Sequence, residues 1–587
     1  MRKILAVAFA AMLFWGLHNL SFAQPKPKKI KQSSASSKAD TEREQLIARL
    51  EKVIPQVMKD GDVPGLSIAL IENGKIFWHR GFGLKNADTR EPVAADTVFE
   101  AASLSKPVFA YAVMKMVESG KLDLDAPLTK YLSVSDVEKD DRLNQITARK
   151  VLSHTTGFPN NRTSGKPLQI RFTPGEKFSY STEGINYLQK FIEHISGQPL
   201  EEFMRKTVFE PLGMINSSYV WQEKYETLKA FSHDSTGAVA GRGKTQPQAA
   251  TSLHTTALDY AKFVAAVLNR RGIKETTVRE MLRPQGKVEE DCVVCFGRKS
   301  VEQFSQSISW GLGWGLEREG NKNYFWHWGD IQNWRSYVVA DDKLKNAVII
   351  FSNSANGLSI VNEITSQAGM GKQPALAWTG YEPYNTPSRV LLRDILARGE
   401  KAIGEYRERE DSNGKLDESQ TIWVGYQLLG KKRFKEAVGF FKLITELFPN
   451  SSKAFDGLGE TYLKAGDYEL AAKNYQRAVE LNPQNTNAAT VLKQLQSSQF
   501  KVDAKLLEEY AGEYETPFGI LTIVKEGDRL LGRLSGEPDM VLLPQSAAQF
   551  VVAIADIPHT FVRDEKGRVA RIVILVRGQE IQAKRIR

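Results

Sequence analysis

Ser103 and Lys106 stand three residues apart in Phe99-Glu-Ala-Ala-Ser-Leu-Ser-Lys-Pro-Val-Phe-Ala. On a helix that spacing puts a hydroxyl and an amine on one face. A serine becomes a nucleophile only beside a base, and a lysine serves when its surroundings lower its pKa. Pro107 is tolerated only in a first helical turn, so Ser103 is expected where a helix begins. Free N–H groups and the helix dipole there favour a developing negative charge. The same tetrapeptide also reads as a plain N-cap, so the chemistry depends on what else the chain brings to it.

Three later stretches carry further candidates: Tyr180-Ser-Thr182, His327-Trp328-Gly329-Asp330, and the turn His154-Thr-Thr-Gly157. His154 alone reads as a structural turn histidine. Around these, Gly65 to Ile71 and Lys75 to Arg80 read as strands joined through Asn73-Gly74, the strongest short hairpin signal. Thr41 to Lys59 and Pro107 to Glu118 have helical spacing. Ile146 to Gly157 reads as a helix ending in a Gly/Pro turn, and Tyr180 precedes another helix. Ser336 to Ala340 and Asn346 to Ser352 are strand-like, and Gly357 to Gln367 reads as a helix.

Taken together, the stretch from about 43 to 370 resembles the serine β-lactamase and penicillin-binding protein family. It is most similar to the branch of class C β-lactamases, D-alanyl-D-alanine carboxypeptidases and esterases. Ser103-Leu-Ser-Lys106 matches the first family motif, Tyr180-Ser-Thr182 the second and His327-Trp-Gly329 the third. Leu253 to Asp259 and Gly311-Leu-Gly-Trp314 agree as accessory stretches. The resemblance implies an antiparallel sheet with flanking helices and a helical subdomain, the serine lying at their junction. It implies catalysis by Ser103, Lys106 and Tyr180, Lys106 keeping the Tyr180 phenol partly ionised as base. It also implies an oxyanion hole from the backbone N–H groups of Ser103 and Asp330. Thr182, His327, Trp328 and Gly329 would meet the substrate, His327 contacting its carboxylate or leaving group. Thr182 stands where the family usually has Asn, and His327 where strong β-lactamases have Lys; both shift expectation away from antibiotic hydrolysis.

Composition sets the bounds. The 587 residues are 42% hydrophobic and 25% charged, as in soluble globular proteins. Of the net charge of +10, seven units come from basic residues ahead of Asp40, leaving +3 for the rest. Charge therefore gives no support for nucleic-acid binding. Arg2-Lys3, an apolar run and Ser21-Phe-Ala23 form a signal peptide (1–23), implying export to the periplasm or medium with no membrane span after cleavage. A Pro/Lys/Ser-rich linker follows (24–41). Cys292 and Cys295 read as a loop disulfide or idle thiols. No His/Asp cluster has metal-ligand spacing, so neither metal nor cofactor is called for.

Beyond the hydrolase domain (42–372) and a helical connector (373–417, with Pro387 to Arg409 read as one helix), a 34-residue period appears. It pairs Phe434 with Tyr468, Ala437 with Ala471, Phe441 with Tyr475 and Pro449 with Pro483. That resembles tetratricopeptide repeats (418–498): a peptide- or protein-binding groove, or a packing spacer. From 501 to 587, seven short alternating runs suggest a small β-barrel or sandwich. The fold class is thus multidomain: an α+β hydrolase domain, an α-helical repeat segment and an all-β tail. The leading functional reading is an exported serine hydrolase of an ester, D-peptide or β-lactam. The alternative is an inactive hydrolase fold that binds partners through its repeats.

Overall fold

The computed structural model describes residues 38–163, 165–240, 246–288, 307–320, 322–409, 416–498, 502–534, 539–576 and 578–587. The signal-peptide reading, most of the linker, and Cys292 and Cys295 lie outside the described residues.

The first sheet is built from β1 (Gly65–Glu72), β2 (Lys75–Asn86), β3 (Glu91–Pro92) and, late in the chain, β6 (Gly286–Lys287), β7 (Ile308–Trp310), β8 (Gly315–Glu319), β9 (Lys322–Ile331), β10 (Trp334–Asp341) and β11 (Asn346–Ser352). Its order is β3-β2-β1-β11-β10-β9-β8-β7-β6, every pairing antiparallel, so early and late strands lie side by side. Asn73 and Gly74 both take positive φ, the mirror-image turn that matches strand twist. The two-residue period sorts side chains into two cores. Ala69, Ile71, Val338, Ile349 and Phe351 face the helical subdomain, while Leu66, Ile68, Leu70, Val339 and Ile350 face the other side. A separate two-stranded ribbon, β4 (Phe99–Glu100) with β5 (His254–Thr255), leads into the Ser103 segment.

Several helices are shorter than their sequence patterns. Ile146 to Gly157 contains only the helix Ala148–Leu152, because His154 and Gly157 take positive φ. Gly357–Ile360 is a 3-10 turn before the helix Val361–Gln367. In the connector a short helix, Pro374–Trp378, comes first, and Pro387 to Arg409 is two helices, Pro387–Arg398 and Glu400–Glu408, broken at Gly399, whose φ of 63° no continuous helix accepts.

The repeat segment forms helices Glu418–Gly430, Phe434–Leu447, Ser452–Ala465, Tyr468–Leu481 and Thr486–Ser497. Gly425 and Gly457 lie against the ring of Phe441, and Gly459 against Tyr475, so small residues let the helices close on the large ones. Lys431 reaches the carbonyl of Thr236 (2.6 Å) and Arg393 that of Asp60 (2.8 Å), tying repeat and connector to the hydrolase domain.

The C-terminal strands close an eight-stranded antiparallel barrel: β12 (Gly512–Thr516), β13 (Gly519–Glu526), β14 (Arg529–Leu534), β15 (Met540–Pro544), β16 (Gln549–Val552), β17 (Ile557–Arg563), β18 (Val569–Val576) and β19 (Gln579–Arg585). The eighth strand is β12, hidden in sequence within the run after Leu506. Two sets of side chains alternate around the barrel. Leu530, Leu542, Phe550 and Val552 fill its interior, while Leu531, Val541, Leu543 and Val551 pack outward onto the repeat helices. Among the described residues no helix is long and apolar enough to cross a membrane.

Candidate active site

Ser103 is reached through a tightly held strand. Ala101 donates to the carbonyl of Leu253 (2.8 Å), and Glu100 forms a buried ion pair with Lys229 (2.5 Å). Ala102 then takes a φ of 49°, rare for a residue with a Cβ, and turns the chain into a 3-10 turn, Ala102–Leu104, ahead of the helix Ser105–Glu118. Ser105 secures this corner: its hydroxyl donates to Ala102 (2.6 Å) and accepts from the Leu253 amide (3.1 Å).

Lys106 is fully buried. Its Nζ donates to Ser103 Oγ (2.9 Å) and to the carbonyl of Ala250 (3.1 Å). Asn186, one helical turn beyond Thr182, accepts from the Ala250 amide (3.3 Å) and so holds that peptide. Burial alone lowers the Lys106 pKa from 10.5 to about 7, so the neutral amine is a major species at neutral pH.

Tyr180 is boxed by rings: His154 at 4.4 Å between centroids, Trp328 at 5.0 Å, Trp310 at 5.8 Å and His327 at 6.1 Å. Lys106 Nζ sits over its face, 4.9 Å from the ring centre. Its hydroxyl is buried and makes no hydrogen bond. Burial raises the phenol pKa well above 10; proximity of Ser103 lowers it slightly and the charge of Asp330 raises it again. Burial thus opposes the phenolate that the family motif implies, and the neighbouring amine lies at the ring face.

His154 holds the segment on both sides of Tyr180. Ser179 N–H donates to its carbonyl (2.7 Å), and Ser181 N–H to its Nδ1 (3.1 Å). Ser181 in turn caps the helix Thr182–Ser196, accepting from Gly184 (2.8 Å). This contact is invisible in order alone, because His154 and Ser181 meet only in three dimensions; the motif marks His154 only as a turn residue, and Asn186 is missed altogether. Thr182 opens that helix, its amide donating to Asn160 Oδ1 (3.1 Å). Lys106 spends its bonds on Ser103 and Ala250.

His327 is fully buried. Its Nδ1 pairs with the Trp328 carbonyl (2.8 Å), which leaves Nε2 as an acceptor without a partner. Burial, with the charge of Lys106, lowers its pKa to about 3. With Nδ1 already bonded, the imidazole presents a bare acceptor at Nε2. Gly329 brings β9 against the serine segment: a Cβ there would run into Ser336 Oγ and the carbonyl of Ala101. Gly329→Ala is therefore expected to lower stability by about 1–3 kcal/mol, read in a denaturant titration. The Asp330 carboxylate is matched by Arg335 (2.8 Å) and by the hydroxyl of Tyr381.

Five histidines, His154, His233, His254, His327 and His559, are buried with lowered pKa values, His254 and His327 to about 3. Below about pH 6.5 the unfolded chain binds protons that the folded chain refuses. The histidine contribution to stability is therefore complete above that pH and falls as pH drops toward 3, by about 1.4 kcal/mol per unit for each strongly shifted histidine. Urea midpoints measured between pH 7 and 4 should decline steeply; a flat series would contradict the burial of these rings.

Family models match two stretches of the chain. A family model described as Beta-lactamase matches residues 50–365, and one described as Tetratricopeptide repeat matches 457–485. Protein flp of Staphylococcus aureus (strain N315) is 21% identical over 329 residues, 52% of this chain and 62% of that protein. Esterase EstB of Burkholderia gladioli is 28% identical over 209 residues, 30% of this chain and 53% of that protein. The chain thus spans less than two thirds of these curated relatives. D-alanine carboxypeptidase AmpC from Burkholderia cenocepacia superposes with a TM-score of 0.44 at 18% identity, over 53% of this chain and 95% of that one. The octameric penicillin-binding protein homologue from Pyrococcus abyssi superposes with a TM-score of 0.46 at 18% identity, over 92% of this chain and 100% of that one. Because the first model covers more than half of the residues, and those residues include the serine, lysine and tyrosine brought together above, the chain belongs to the beta-lactamase family.

Proposed function

We propose that this protein is a serine hydrolase of uncharged carboxylic esters, working through an acyl-enzyme on Ser103. The observation that carries the reading is the buried Lys106 amine, 2.9 Å from Ser103 Oγ and with a pKa of about 7. Neutral Lys106 takes the hydroxyl proton as Oγ attacks the ester carbonyl. The tetrahedral oxyanion is held by the backbone N–H groups of Ser103 and Asp330; losing one such donor typically costs about 3–4 kcal/mol. Lys106 then returns the proton to the departing alkoxide, with the Tyr180 phenol donating a hydrogen bond. Water enters, Lys106 again serves as base, and the acid leaves. His327 Nε2, an acceptor with no partner, orients that water.

The surroundings favour an ester over a carboxylate-bearing peptide. Tyr180, Trp310 and Trp328 wall the site, and His327 stands neutral where a cation would be needed to hold a substrate carboxylate. Thr182, Trp328 and Gly329 are proposed to line the substrate path. Export and the repeat's partner remain part of the same proposal: the repeat presents a surface for a protein or peptide. Purified protein should hydrolyse p-nitrophenyl acetate and react with a fluorophosphonate, and Ser103→Ala should abolish both. Turnover of nitrocefin or of a D-Ala-D-Ala peptide at a rate above that of the ester would overturn the substrate assignment. Fluorophosphonate labelling unaffected by Ser103→Ala would overturn the mechanism.

A further inference from the structure

A cleft of about 470 Å³ lies where the hydrolase domain, the connector and the first repeat helix meet. That is the size range of small-molecule sites. Asn356, Tyr381 and Arg389 line one side, and Asp417, Gln420 and Trp423 the other. Arg389 is its most telling group. The guanidinium lies over the Trp423 indole, 5.2 Å from the ring centre, and has one long hydrogen bond, to Asn356 Oδ1 (3.4 Å). Its Nε is buried with no hydrogen-bond partner at all. A guanidinium offers five donors in a fork that fits a carboxylate, and a buried unsatisfied donor is costly. Burial presses its pKa down, opposed by Glu382 and Asp62 and reinforced by Arg393. Glu382 and Asp417 line the same cleft, so a dianion such as phosphate would be repelled, whereas a molecule with one carboxylate and one ammonium suits both walls.

Tyr381 connects this cleft to the catalytic strand. It lines the cleft, and its hydroxyl donates to the carboxylate of Asp330, the residue whose backbone is assigned to the oxyanion hole. We propose that the cleft binds a small zwitterion of the amino-acid or dipeptide class through Arg389, and that its occupancy, passed through Tyr381 to Asp330, slows Ser103 chemistry. The binding half stands independently; the relay half rests on the hydrolase reading above.

The test uses the full chain. Calorimetry on Ser103→Ala protein is run with Ala-Ala, N-acetyl-Ala-Ala and Ala-Ala amide. Saturable binding of Ala-Ala is expected, weakened about tenfold or more by amidation and by Arg389→Met, with Arg389→Lys between. Equal affinity for acid and amide, no saturable binding of any probe at millimolar concentration, or binding that survives Arg389→Met would overturn the site. Melting temperatures identify a variant that folds poorly, and the acid–amide comparison, which needs no change at Arg389, keeps the claim open to refutation. In the wild type, Ala-Ala is expected to lower ester turnover about fivefold. Arg389→Met should keep the basal rate and lose this response; Tyr381→Phe should bind Ala-Ala yet lose the response. Binding with unchanged turnover overturns the relay alone. Absence of any esterase activity refutes the proposed reaction and leaves the calorimetric result to decide the site.

Discussion

Replacing Lys106 with methionine is expected to lower kcat/KM for p-nitrophenyl acetate by about 10³-fold, the middle of the range for losing a general base. The side chains are close in volume, and the amine is desolvated with only two hydrogen bonds, so the fold should survive. Between about pH 7 and 10.5 the unfolded chain holds a proton on this lysine that the folded chain has released. Wild-type stability therefore rises with pH across that window, and the methionine variant should lack this component, melting at the same temperature or higher near pH 7. The same group sets the activity profile. The active form is the neutral amine, so wild-type kcat/KM should climb with pH through about 7 and then level off. His154 and His327 stay neutral throughout and add no limb near 6.5. A profile flat from pH 5 to 9, or a methionine variant with near-native turnover, would remove Lys106 from the reaction.

The second large effect concerns His154. Its backbone takes a φ of 56°, so glycine is the substitution that removes the ring without adding backbone strain. His154→Gly deletes the acceptor for Ser181 N–H and the ring against Tyr180, while the carbonyl bond from Ser179 can persist. Tyr180 then keeps three of its four walls but loses the ring and the tie that set its position, and kcat should fall about 10²-fold with KM changed little, as for a reacting group displaced by about an ångström. Asparagine tolerates left-handed backbone and carries an acceptor near the Nδ1 position, so His154→Asn should recover much of that loss. A merely structural histidine would show equal damage in both variants, visible as a lowered melting temperature without the asparagine rescue.

These residues divide by how far their roles could be read from order alone. Ser103 and Lys106 were legible because one helical turn separates them, and local geometry does the rest. Tyr180, His327 and Asp330 were placed through family motifs, which mark positions and not protonation. The protonation of Tyr180 was not legible: burial by four rings from three distant segments pushes its pKa up, and no spacing encodes burial. His154 was read as a turn histidine, correctly for its backbone, while its contact across the turn with Ser181 was invisible. In the repeats the 34-residue period located equivalent helices because each unit packs the same way. In the tail, seven runs were seen and an eighth missed. Tyr514 sits in a glutamate-rich stretch, and pairing with β13 from Gly512 to Thr516, completed by closure against β19 at Tyr514 and Glu515, makes it a strand.

The outward-facing leucines and valines of β14 to β16 join the repeats and the barrel into one packed unit. A helical array normally ends in a unit with a polar outer surface; here the barrel supplies that covering itself, with Gln494 bound to Asp556 (2.9 Å) and Arg529 to the carbonyl of Lys464 (2.7 Å). Cutting the gene after residue 498 would strip a greasy face bare and send the remainder toward aggregation, and the tail expressed by itself would carry the matching patch. The repeats and the barrel thus share one apolar interface and are expected to be stable together but not apart.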